Sequence, residues 1–153
     1  MIALDFEPGS FDAIWSEGAI YIIGFEKGLQ AWQPFLKKGG YLAVTELSWI
    51  KPAPPVEAKT FWNENYPHIR SREENLALLQ QAGYLEVGHF VLPESAWWQD
   101  YYNPLEKRIA TLKEQYRDND EALAFLDNSQ REIDLYRKYS EWYGYVFYIM
   151  QAQ

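Results

Sequence analysis

Ser10-Phe-Asp-Ala-Ile-Trp-Ser16, then Phe25-Glu-Lys-Gly-Leu-Gln-Ala-Trp-Gln-Pro-Phe-Leu36, then Gly39-Gly-Tyr-Leu-Ala-Val-Thr-Glu-Leu-Ser-Trp49 is the stretch that decides the fold. Phe11 to Ser16 is a short apolar-rich run that reads as a buried strand ending in the polar turn Ser16-Glu17-Gly18. Phe25, Leu29, Trp32 and Leu36 recur at helical spacing, which places them on one face of a helix. Gly39-Gly40 is read as its stop, because glycine accepts the left-handed backbone common at helix ends. Tyr41 to Leu47 is again short and apolar, bounded by glycines and by Trp49-Ile-Lys-Pro52, and suits a strand. Strand, helix and strand with short joints make a parallel β-α-β unit.

In an open α/β sheet, ligands bind outside the carboxyl ends of parallel strands. Here those ends are Ser16-Glu17-Gly18 and Glu46-Leu47-Ser48-Trp49, which should lie side by side on one rim. The segment Phe6-Glu-Pro-Gly-Ser-Phe-Asp12 with Ala13-Ile-Trp-Ser16, and then Phe35-Leu-Lys-Lys-Gly-Gly-Tyr-Leu42, resembles the second half of a class I S-adenosylmethionine-dependent methyltransferase of the small-molecule type. In that family L-P-F-x-x-x-S-F-D enters the fourth strand and L-K-P-G-G-x-L the fifth. Leu4-Asp5-Phe6 departs from Leu-Pro-Phe, and Lys38 stands where proline is common.

The resemblance implies that the glycine-rich cofactor loop and the acidic residue that holds the ribose are missing, since it begins just before the fourth strand. Gly39-Gly40 and Gly83 are no substitutes, because each is read as following a helix rather than opening one. The chain is therefore expected to be the C-terminal part of such an enzyme, inactive alone and binding no S-adenosylmethionine by itself. A non-catalytic ligand-binding or dimerisation module, and an enzyme completed by a separate chain, are the alternatives.

The composition fits one compact domain of 153 residues. A net charge of −8 argues against nucleic acid, whose phosphates need clustered lysine and arginine. No apolar stretch approaches the roughly 20 residues of a membrane span, and no basic-then-apolar leader opens the chain. With no cysteine there is no disulfide, thiolate ligand or cysteine nucleophile, and the cytoplasm is the default location. The 7 Trp, 12 Tyr and 8 Phe are unusual.

Beyond the β-α-β unit, Lys51-Pro-Ala-Pro-Pro55 is a stiff linker, and Val56 to Tyr66 reads as a helix stopped by Pro67. Ser71 and Glu74 have capping-box spacing for a helix to Ala82, closed by Gly83, and Tyr84 to Leu92 is strand-like. Asn103-Pro104-Leu105-Glu106 has the form of a helix start, and a long charged helix is expected from Glu121 to Trp142. Tyr143 to Gln151 returns to strand character. The resemblance implies a truncated Rossmann-like α/β fold. Its sheet is four-stranded and mixed, in the family's strand labels 4-5-7-6, formed by residues 1–92 and 140–153, with 93–139 a helical insertion or lid. Its strand at 11–16 would be an exposed edge, an invitation to a homodimer.

The resemblance places Ser16, Glu17, Gly18 and Ala19 beside the cofactor, with Glu17, Tyr21 or Glu46 near the transferred methyl group. The plain alternative is a solvated turn, and for Glu46 a solvated carboxylate. Ala19-Ile20-Tyr21-Ile22-Ile23 is core or substrate wall. Trp97, Trp98 and Tyr101, with Trp49, could line an acceptor pocket, although packing of the insertion on the sheet is the commoner cause of such clusters. His89 reads as a packing residue and His68 as exposed, so no metal site is expected.

Overall fold

The structure, a computed structural model, describes residues 4–153. Phe11–Ser16 form β1, Phe25–Trp32 form α1, and Leu36–Trp49 form β2, parallel to β1. The β-α-β unit is present, but its helix is shorter than the periodicity suggests. Pro34 has no amide to continue the ladder, so Gln33–Phe35 tighten into a 3-10 turn and Leu36 already belongs to β2. Gly39-Gly40 consequently lie inside a strand rather than at a helix end. Gly39, at φ +77°, forms a bulge where Phe11 pairs with Leu36 but Ala13 pairs with Tyr41.

Val56–Asn65 form α2, Arg70–Ser71 the two-residue β3, Arg72–Gln81 α3, and Tyr84–Val91 β4. The capping box is as the spacing predicts: Ser71 Oγ accepts from the Glu74 amide, and Glu74 accepts from the Ser71 amide. Tyr143–Ala152 form β5, which lies antiparallel between β2 and β4. The sheet order is β1-β2-β5-β4, the order the resemblance implied, and β3 adds a short parallel pairing with Ser48 and Trp49 of β2.

Helices α1 and α3 cover one face of the sheet. Leu42 and Val44 of β2 and Val146, Tyr148 and Met150 of β5 pack with Phe25, Leu29 and Trp32 of α1 and Leu79 of α3. By strand alternation, Trp15, Ala43, Phe147 and Phe90 lie on the opposite face. There Phe90 stacks on Phe147, yet Trp15 remains 67% and Phe90 49% exposed.

The segment 94–139 is helical and sits over the carboxyl end of β2. Glu94–Trp97 form α4, Trp98–Tyr102 a π-helical turn, Asn103–Gln115 α5, and Asp120–Tyr139 α6. Asn103 is not an N-cap, because the helix runs into α5 without a break: its backbone is helical and its amide bonds to the Trp98 carbonyl, five residues back. Pro104, which donates no hydrogen bond, is tolerated just after that widened turn. The α6 helix stops at Tyr139, three residues before the expected end, and a turn whose Trp142 amide bonds to Tyr139 leads into β5. A second core forms here, from Leu47, Tyr143, Phe61 and Trp62 with Trp97, Tyr102, Ile109, Ile133 and Tyr136.

Candidate functional site at the rim of β1 and β2

The turn after β1 is a partition between two hollows. Gly18, at φ +56°, donates its amide to Thr45 Oγ1 at 2.7 Å, which ties the turn to β2. Ser16, Glu17 and Ala19 border an open cleft of about 490 Å³, whose other walls include Phe6, Phe11, Trp15, Trp32 and Phe35. On its far side Gly18 borders a cavity of about 530 Å³ between the sheet and the helical cap. A side chain at Gly18 would be strained by its backbone conformation and would point towards the Tyr145 hydroxyl.

The cavity is aromatic. Tyr21, Trp62, Tyr66, Trp97, Tyr101 and Tyr145 line it, together with Leu47, Asn65 and Glu132. Trp97 is clamped between rings, with its centroid 4.7 Å from that of Tyr145 and 4.7 Å from that of Tyr136. Tyr21 meets Tyr66 edge-on at 6.3 Å. Such contacts fix the ring planes and make the walls rigid.

Two carboxyl groups sit at this site. Glu46, pointing from β2, is only 2% exposed. Its Oε1 accepts from the Tyr66 hydroxyl at 2.6 Å, and its buried Oε2 has no protein partner. Burial pushes its pKa up to about 7, against the opposing pull of the Tyr66 hydrogen bond and the Arg70 charge. Glu132, on α6, borders the cavity directly; Oε1 accepts from the Tyr102 hydroxyl at 3.0 Å, and burial raises its pKa as well. The Tyr66 hydroxyl is pushed up by burial and by the neighbouring Glu46, so it is a hydrogen-bond donor throughout the ordinary pH range.

The residues singled out from sequence divide accordingly. Gly18, Tyr21, Trp97 and Tyr101 meet around the cavity, and Ser16, Glu17 and Ala19 around the open cleft. Ile20 is fully buried against α1 and belongs to the core, whereas Ala19 borders the cleft and Tyr21 the cavity, so the segment divides between the two readings. Trp49 meets Tyr143 edge-on at 5.9 Å, and Trp98 packs near Tyr136 with the Arg137 guanidinium over its ring; neither borders the cavity. Glu46 reaches the cavity only through Tyr66. Trp62, Asn65, Tyr66, Glu132 and Tyr145 were not singled out. A signal existed for three of them: Trp62 and Tyr66 are spaced four residues apart, and Glu132 lies four residues before Tyr136 on the apolar stripe of α6. His89 pairs with Glu86, and His68 is exposed. Among the described residues no group of three or more His, Cys, Asp or Glu is placed to hold a metal ion, and no helix is long and apolar enough to cross a membrane.

No family model and no curated protein matches the sequence. Solved structures match the fold over nearly its whole length. The [4+2]-cyclase SpnF gives a TM-score of 0.70 at 19% identity, covering 99% of this chain and 53% of that one. An S-adenosylmethionine-dependent methyltransferase from Geobacter sulfurreducens, in complex with S-adenosyl-L-homocysteine, gives 0.71 at 19%, covering 95% and 59%. Phosphoethanolamine N-methyltransferase 2 from Haemonchus contortus, in complex with S-adenosyl-L-methionine, gives 0.70 at 17%, covering 97% and 34%. The fold is thus that of the small-molecule methyltransferases that use S-adenosylmethionine, and the chain spans about half the length of the first two neighbours and a third of the last. At these identities the likeness is one of fold, and the same fold serves a cyclase.

Proposed function

We propose that residues 1–153 form the acceptor-binding part of a small-molecule, S-adenosylmethionine-dependent methyltransferase, and that this chain alone neither holds the cofactor nor transfers a methyl group. The observation that carries this reading is the aromatic cavity under the helical cap on one side of the Ser16–Ala19 turn, set against the apolar cleft on the other. The cleft does not suit the cofactor by itself. Ser16 and Glu17 are its polar side chains, and its remaining walls are mainly Phe and Trp rings with nothing to hold a ribose. In the complete enzyme the turn would separate the donor from the acceptor, with Tyr21 and the Glu46–Tyr66 pair orienting the acceptor. Methyl transfer rests mainly on that alignment and on exclusion of water. A cytoplasmic location and a homodimer through β1 belong to the same reading.

Calorimetric titration of the purified chain with S-adenosylmethionine should show no binding, and adding a chain that carries a glycine-rich cofactor-binding half should restore it. Micromolar binding by the chain alone would overturn the proposal. A second reading is a ligand-binding module without catalysis, favoured by a cavity walled from this chain's own residues. Under that reading the purified chain retains a small ligand, and adding the cofactor-binding half produces no transfer.

A further inference from the structure

The chemistry of the cavity wall is one-sided. Six of its lining residues are Trp or Tyr, Glu132 is its carboxylate, and neither lysine nor arginine borders it. Glu132 has no ion-pair partner among the described residues, although ten other pairs form across the molecule. Its one side-chain hydrogen bond, from Tyr102, occupies Oε1, and its Oε2 is not sealed from solvent as that of Glu46 is. A half-buried carboxyl without a cation, facing aromatic rings across a hollow, is costly to ionise unless a positive group enters. Ring faces attract such a group, and a substituted ammonium loses little hydration on entering. A phosphate or carboxylate would meet Glu132 with no base to offset the repulsion.

We propose that this cavity binds a small organic ammonium group, held against Glu132 and walled by Tyr21, Trp97 and Tyr101. The proposal rests on the reading above that the cavity is the acceptor site, and it narrows that acceptor to an amine. The amine would enter as its cation, and for its nitrogen to accept a methyl group the N–H proton would first pass to the Glu132 carboxylate, freeing the lone pair. Glu132 is the recognition residue, and the rings set the size and the preference for alkyl substituents on nitrogen. About 530 Å³ leaves room for a substituent beyond the ammonium head.

The test uses the full 153-residue chain without cofactor, so that it is independent of methyl transfer. Tryptophan fluorescence reports the cavity through Trp62 and Trp97. It is titrated with choline, with the neutral alcohol in which carbon replaces the choline nitrogen, and with inorganic phosphate. Choline should bind at least about tenfold more tightly than the neutral alcohol, and phosphate not at all. Glu132→Gln, with circular dichroism and urea unfolding unchanged, should erase the preference for the cation. Tyr101→Leu, at a half-exposed site where leucine keeps an apolar contact with Trp97 and Tyr102, should weaken choline several-fold, with circular dichroism and urea unfolding unchanged. Equal binding of choline and its neutral counterpart, or tighter binding of phosphate, would overturn the inference. If choline binds as described but the reconstituted enzyme methylates no acceptor, the methyltransferase reading fails and the ammonium site stands. If the reconstituted enzyme methylates only anionic or neutral acceptors in this cavity, the ammonium site fails and the methyltransferase reading stands.

Discussion

Glu46 shows how one residue changes its meaning between sequence and structure. In the sequence it is a strand-end carboxylate on a rim, where solvation is the simplest fate. In the structure its neighbours arrive from distant parts of the chain: Tyr66 on the hydrogen bond, Arg70 as a nearby charge, and Tyr145 on the adjacent strand β5. Nothing local in Thr45-Glu46-Leu47 announces that enclosure. The consequence for stability has a definite sign. The folded state keeps the proton up to about pH 7, whereas an unfolded glutamate releases it near 4.5. Between these values the folded state binds more protons, so this group's contribution is fully present below the unfolded pKa and is lost as pH rises through the folded one. The shift corresponds to roughly 3 kcal/mol over that window. Urea unfolding of the native chain should therefore weaken between about pH 5 and about pH 8, and Glu46→Gln, which keeps an acceptor for Tyr66, should flatten the decline. An unchanged slope in the variant would show that Glu46 is already ionised at pH 5.

At the scale of elements, the sequence is most legible where structure depends on near neighbours. The Ser71–Glu74 cap, the Gly83 stop and the strand character of Tyr143 to Gln151 all rest on local preferences, and each appears where the sequence places it. It is least legible where an element is shaped by tertiary contact. The helix from Glu94 onward passes through Asn103-Pro104 because a π turn carries it past the proline, and that turn brings Trp97 and Tyr102 into the same buried cluster. The glycine pair was read as the end of a helix because the helical spacing of Leu36 continued across Pro34. Its real role is close approach between β1 and β2. A Cβ on Gly40 would stand 2.9 Å from the Lys37 carbonyl oxygen, 3.1 Å from that of Asp12 and 3.2 Å from that of Phe11. These are backbone atoms and cannot turn aside as a side chain would. Gly40→Ala should cost about 1–3 kcal/mol, and hydrogen exchange should show the loss concentrated in faster opening of β1. Uniform exchange across the sheet would mean that the bulge absorbs the methyl group without parting the strands.

For the whole molecule, the decisive feature is a parallel pairing only partly covered on one side. Parallel strands are normally covered on both faces; here α1 and α3 cover one, and on the other the helical cap reaches only the carboxyl end, at Leu47 and Tyr143. The other presents Trp15 and Phe90, with Leu85 on the outer strand 52% exposed, beside an edge strand that among the described residues pairs with β2 alone. Exposed apolar surface joined to a free strand edge promotes association. Two covers would fit this description: a second copy of the chain, or the cofactor-binding half of a complete enzyme. The two compete for the same strand, and that competition makes the homodimer testable. Sedimentation equilibrium of the isolated chain should show a dimer. Trp15→Lys, which places a charge on the partly covered face without touching the helix-covered core, should shift it to monomer with little change in unfolding midpoint. Supplying the cofactor-binding half should dissolve the dimer in the same step that creates affinity for S-adenosylmethionine. A dimer that survives both treatments must be joined elsewhere than at β1.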